Sequence, residues 1–268
     1  MALTLTQVQS LFGVQASAGA AGNAASAIPA LRRATTDGAE AKGIAREQKD
    51  PVTLTALAQF RVALDKAGSI EQALQDPRIL KVIMPALGLP DQVGNPGMVR
   101  RALLSDPADT KGLAAQLGST WQAAAATLGV YQTGLDVLRD PAMVQRMSDA
   151  FLKYQYRSGL DDQQAGLSDA LYFLESAKNA EDVFDVLGDP VLRRVVTGAL
   201  GLPQQIAVQS VEAQGRAVTA RLKLDDLQDD RAVRKLAERY LITAATNATS
   251  AAGQADPMTL LTTLSVRA

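Results

Sequence analysis

Six of the eleven prolines in this 268-residue chain directly follow an aspartate: Asp50-Pro51, Asp76-Pro77, Asp106-Pro107, Asp140-Pro141, Asp189-Pro190 and Asp256-Pro257. Asp at an N-cap accepts a hydrogen bond from an amide that the first helical turn leaves unpaired. Pro at the next position already has a helical φ and has no N–H to leave unsatisfied. The six pairs therefore predict six helix starts, and Ser69-Ile70-Glu71-Gln72 adds a capping-box pattern. Between the starts, apolar residues recur at the helical period. Met143, Val144, Met147, Ala150, Phe151 and Tyr154 form one stripe; Leu167, Ala170, Leu171, Leu174 and Ala177 form a second. Val233, Leu236, Ala237, Tyr240, Leu241 and Ala244 form a third. Each is one apolar face of a helix and needs a partner surface. No convincing period-two alternation occurs, and Val195-Val196-Thr197 sits inside a helical pattern. The expected fold is an all-α helical bundle.

The bundle carries an internal repeat. Asp76–Gln92 and Asp189–Gln205 are identical at nine of seventeen positions, 113 residues apart. Each copy ends in Ala-Leu-Gly-Leu-Pro, at 86–90 and 199–203. Gly after a last helical turn takes the left-handed conformation, Leu packs back, and Pro prevents continuation. We read two related helical units, about 66–118 and 178–240, with bridging helices at 141–157 and 162–178. The expected organisation is a flexible, partly helical segment at 1–50, a helical domain at 51–247 and a tail at 248–268. Residues 14–30 hold a run of Ala, Gly, Ser and Asn, which bury too little to offset ordering entropy; a disordered or loosely packed segment is expected there.

Composition removes several function classes. The chain has no Cys and no His, so thiolate chemistry, Cys/His zinc sites and Ser-His-Asp triads are unavailable. With 27 basic and 28 acidic residues it lacks the basic excess of a nucleic-acid partner. The pairs Arg32-Arg33 and Arg193-Arg194 read as solvated surface. Neither GxxxxGK[ST] nor GxGxxG occurs, and no cofactor is expected. The acidic turn Leu224–Asp230 lacks the Gly and terminal Glu of an EF-hand loop. It reads as a cap, with Asp230 starting a helix at Arg231, and no metal site is expected. Asp161-Asp162 reads the same way. Glu175, beside Tyr172 and Phe173, is the nearest approach to a carboxylate among aromatics, on a helix whose aromatics belong to the core.

Amphipathic ends flank this core. Leu5, Val8, Leu11 and Phe12 lie on one, and Leu260, Leu261 and Leu264 on the other; the ends either fold back on the core or dock on a partner, and in the second case these are the candidate partner-binding residues. Neither end is basic, which disfavours a membrane-surface helix. No run approaches the roughly 18 apolar residues of a membrane span, and the first residues lack the basic and apolar regions of a secretory signal. If the chain leaves the cytoplasm, it does so without a classical secretory signal.

Several blocks together carry a resemblance. They are the two Ala-Leu-Gly-Leu-Pro blocks with their preceding Leu-x-Asp-Pro segments, Ala170-Leu171-Tyr172-Phe173, and Arg221-Leu222-Lys223-Leu224-Asp225-Asp226-Leu227. In order and spacing, over roughly residues 51–246, they resemble a bacterial domain-of-unknown-function family often encoded in flagellar gene clusters. The chain departs from it in a longer, plainer N-terminal Ala/Gly stretch. The resemblance implies an all-helical fold, a role connected with the flagellum and a location in the cytoplasm or the bacterial flagellum, with no family active site to carry over. The absence of Cys and the amphipathic ends are similar to those of exported flagellar axial proteins. The expected function is that of a non-enzymatic flagellar accessory or structural protein acting through protein–protein contacts. A cytoplasmic chaperone or regulator of a flagellar component is the alternative, marked by an exposed apolar groove. A carboxylate-dependent hydrolase is a third reading, marked by buried carboxylates converging in a cleft.

Overall fold

The computed structural model of the protein describes residues 23–253, and among these there are helices, turns and connecting segments but no strand. The first helix, α1 (Ala24–Ala34), begins at Asn23, whose side chain accepts from the Ser26 amide at 2.9 Å. The described chain forms two compact units, one of Asp37–Ser158 and one joining residues 23–36 to 159–253.

The Asp37–Ser158 unit holds α2 (Ala39–Glu47), α3 (Pro51–Lys66), α4 (Ile70–Ala73), α5 (Pro77–Ala86), a 3-10 turn at Pro90–Gln92 and α6 (Pro96–Leu103). Then come α7 (Leu113–Leu117), α8 (Ser119–Leu128), α9 (Val130–Thr133), α10 (Leu135–Arg139) and most of α11 (Pro141–Asp161). The Asp-Pro pairs act as capping chemistry demands: Asp50 accepts from the Thr53 amide, Asp76 from Arg78 and Asp140 from Ala142, each at 2.8–2.9 Å. Asp106-Pro107 departs from expectation and opens a turn. Asp106 accepts from the Ala108 amide and Asp109 from the Lys111 amide, both at 2.9 Å. Two successive carboxylates thus take the amides a helix would need. Phe60, Leu64, Leu74, Ile79, Ile83 and Phe151 fill the core. Arg139 reaches the C-terminal end of α3, donating to the carbonyls of Leu64 (3.0 Å), Asp65 (3.1 Å) and Ala67 (2.6 Å), where a cation meets the negative end of a helix. Gly43 lets α2 lie on α11: a Cβ there would stand 2.0 Å from the Tyr156 ring.

The other unit holds α1, α12 (Leu167–Ser176), a 3-10 turn at Ala177–Asn179, α13 (Val183–Gly188) and α14 (Pro190–Ala199). A 3-10 segment at Gln204–Val208, α15 (Val211–Thr219), a further 3-10 turn at Leu224–Gln228 and α16 (Asp230–Gly253) complete it. The long α16 packs against α14, α1 and α12, over a core that includes Leu31, Phe173, Val195, Val196 and Leu241. The expectation of a loose segment at 14–30 fails where the chain is described. Ala27 and Leu31 of α1 are completely buried, because alanines let α1 approach α16 closely instead of contributing bulk.

Both Ala-Leu-Gly-Leu-Pro blocks end a helix as read from sequence. Gly88 (φ +77) follows α5 and Gly201 (φ +63) follows α14. The Leu89 amide returns to the Met84 carbonyl at 2.8 Å, and that of Leu202 to Thr197 at 2.9 Å. These are the six-to-one bonds of a Schellman cap. Ser69 caps α4 and Asp182 caps α13 ahead of them.

Candidate functional site

The densest polar chemistry lies where α11 hands over to α12. Asp161, the last residue of α11, accepts from the Ser168 amide at 2.8 Å and from the Ser168 hydroxyl. One turn into α12, Asp169 takes the guanidinium of Arg194 from α14 as a fork, with Nε to Oδ2 at 2.6 Å and Nη2 to Oδ1 at 2.9 Å. The Tyr240 hydroxyl from α16 donates to the same Oδ2 at 2.6 Å. Two glycines make room for Tyr240: a Cβ on Gly166 or on Gly198 would stand 2.8 Å from its ring. Beside this cluster, Asp189 caps α14 with one oxygen and accepts from the Tyr172 hydroxyl with the other, at 2.7 Å.

The electrostatics follow from one cation serving two carboxylates. Asp169 holds the guanidinium, so Asp161 is left with hydroxyl and amide donors. Burial pushes the Asp161 carboxyl up to about 6; the bonds from Ser168 oppose this, and the nearby Asp169 charge adds to it. Burial works against the Arg194 charge, but Asp169 and Tyr240 more than offset that and raise its pKa. Burial, then the Asp169 charge, raises the Tyr240 phenol well above its ordinary value. Burial and the Asp189 carboxylate raise Tyr172 to about 12. A carboxyl poised near 6 could exchange a proton. However, neither Asp161 nor Asp169 lines either of two shallow surface depressions. One, about 290 Å³, is bordered by Ala199, Leu200, Gly201, Arg239, Ile242 and Thr243. The other, about 250 Å³, lies in the Asp37–Ser158 unit between Arg61, Asp65, Arg139 and Val144. The geometry of the cluster ties α11, α12, α14 and α16 together.

Several sequence readings are corrected here. Arg194 belongs to the part-buried fork with Asp169, not to solvated surface. Asp161 is largely enclosed at a helix junction and is not a solvated cap. In the acidic turn it is Asp229, not Asp230, that caps α16, accepting from the amides of Arg231 (2.7 Å) and Ala232 (3.2 Å). Phe173 is fully buried, as read, and Glu175 is exposed. Among the described residues no group of three or more carboxylates is placed to hold a metal ion, and no helix is long and apolar enough to cross a membrane. The candidate partner-binding residues Leu5, Val8, Leu11, Phe12, Leu260, Leu261 and Leu264 lie outside the described residues.

Sequence reasoning missed a surface. Phe184 on α13, Val208 on the preceding 3-10 segment and Val211 at the start of α15 are half or more exposed, at 53%, 65% and 50%. They belong to packed elements. A Cβ on Gly215 of α15 would meet the Val183 side chain at 3.5 Å. Buried Gln214 donates to the carbonyls of Ala207 (3.4 Å) and Gln209 (2.9 Å), so Val208 is held against α15. In the sequence, the only signal was a phenylalanine two residues beyond an N-cap, which reads equally well as core.

Residues 86–233 match the model of a family described as "Protein of unknown function (DUF1217)". Among solved structures, the X-ray crystal structure of protein AGR_C_984 from Agrobacterium tumefaciens is similar at 23% identity. It covers 83% of this chain and 94% of that one, with a TM-score of 0.66, and so shares the fold. No curated protein matches the sequence.

Proposed function

The chain belongs to the DUF1217 family of proteins of unknown function, and from that premise we propose that it is a non-enzymatic, flagellum-associated accessory or structural protein acting through protein–protein contacts. The observation that carries the reading is the set of large apolar side chains held out to solvent by packed helices. Phe184, Val208 and Val211 stand exposed on α13, the 3-10 segment and α15, elements that pack on one another, whereas the Asp169–Arg194–Tyr240 cluster is part-buried and bridges helices. Contiguous exposed apolar area marks an interaction surface, and these three side chains are its proposed anchors. The flagellar connection rests on the sequence blocks at 74–90, 170–173, 187–203 and 221–227. The internal repeat belongs to the same reading: two helical units of common origin, each with a capped short helix leading into an Asp-Pro helix that ends in Gly-Leu-Pro. The ends at 3–12 and 258–266 supply further contacts.

The test is quantitative recovery from the native cell, with culture supernatant, cytoplasm and purified filament–hook–basal body fractions assayed separately. Enrichment with the flagellar structure supports the proposal. A chain confined to the cytoplasm and bound to a single flagellar subunit would support a chaperone in its place. Independence from all flagellar components would refute both.

A further inference from the structure

We propose that the α13–α15 face binds a protein segment that combines apolar anchors with lysine or arginine flanks; this rests on the reading of the chain as a protein-binding module. The apolar centre is Phe184, Val208 and Val211, all standing out from elements fixed to one another. The same elements carry an acidic excess. Glu181, Asp182 and Asp185 on and before α13, and Glu212 on the first turn of α15, are all exposed, with Arg216 the opposing cation on α15. An apolar centre with a border of one sign selects a partner of the opposite sign at its edge, because a like charge there is repelled. The same excess disfavours a second copy, which would set four carboxylates against four.

The fold does not require this apolar centre. Ser69 and Asp182 cap equivalent short helices, and two residues beyond each cap stand Glu71 and Phe184 respectively. Both positions are exposed. A helix of the same build therefore accepts a carboxylate where α13 displays an aromatic ring. Large aromatic side chains are the residues that most often dominate binding energy at interfaces.

The experiment uses the full chain and two synthetic amphipathic helical peptides of the same leucine pattern, one with lysines and one with glutamates on the polar face. Fluorescence anisotropy should show saturable binding of the lysine peptide, weakening with added salt, and little binding of the glutamate peptide. Phe184→Glu should weaken the lysine peptide at least tenfold with the melting temperature unchanged, and Glu181→Lys with Glu212→Lys should do the same. Val62→Glu, at an exposed apolar position on α3, should leave binding as it was. The proposal is overturned if Phe184→Glu has no effect, if Val62→Glu weakens binding equally, or if both peptides bind alike. It is also overturned if the chain forms a dimer that Phe184→Glu dissolves, or if removing 254–268 or 1–22 is what first opens the face to peptide. Peptide binding without recovery in flagellar fractions would leave this inference standing and remove the flagellar reading.

Discussion

Asp161 shows how a single residue can be set by its place between two helices. Its carboxyl titrates at about 6 in the folded chain, against an ordinary 3.8. The folded state therefore binds the proton more tightly than the unfolded state. The stability that results is fully present below about pH 4 and is lost as pH rises through 6. The difference corresponds to about 3 kcal/mol, an upper figure for a group that is not wholly enclosed. Other carboxylates act in the opposite sense. Asp76 is held low by the Arg78 guanidinium, Asp229 by the amides of Arg231 and Ala232, and Glu71 and Glu212 by their own backbone amides. Their contributions are present above their ordinary pKa values and fade as pH drops through the lowered ones. The melting temperature should thus climb from about pH 7.5 to about pH 5 and fall in stronger acid; Asp161→Asn should abolish the climb while sparing the fall. A wild-type profile flat between pH 7.5 and 5 would show that Asp161 titrates normally. In the same cluster, Asp169→Ala removes the fork from the part-buried Arg194 guanidinium and should destabilise by about 1–3 kcal/mol in denaturant titration.

At the scale of helices, capping chemistry was legible because it is local. Asp50, Asp76, Asp140 and Asp189 each needed only the next two or three amides, and each caps as its Asp-Pro pair implied. Asp106 failed because its carboxylate takes the Ala108 amide and Asp109 takes that of Lys111, which closes two turns in place of a helix. Helix α1 was not legible: its alanines have no bulk to announce burial, and their role depends on α16, more than 200 residues away in sequence. The Asp169–Arg194–Tyr240 cluster was hidden for the same reason, its members being scattered over α12, α14 and α16. The glycines that accommodate it carried the one available hint. Two glycine substitutions separate backbone strain from crowding. Gly88→Ala meets no atom within 4 Å and should cost about 1 kcal/mol for its φ of +77 alone. Gly166→Ala has a similar φ and also drives a Cβ to 2.8 Å from Tyr240, so its loss should be at least twice as large. Equal losses in thermal melts would mean that Tyr240 moves aside without penalty.

For the whole molecule, we propose a division of labour: ionic groups hold helices together, and apolar groups on α13 and α15 meet a partner outside. Composition, helical period and the repeated block indicated the all-α class, because they reflect what every helix must bury. The proposed docking face lay beyond reach, since whether Phe184 points inward or outward is decided by the packing of α13 on α15. The most direct measurement is the recovery of wild-type and Phe184→Glu chains with purified filament–hook–basal body complexes, at matched cellular levels and melting temperatures. The wild type should be retained, and the variant should be lost from the complexes by an order of magnitude while remaining fully folded. Equal recovery of the two chains, or absence of the wild type from the complexes, would contradict the proposed role.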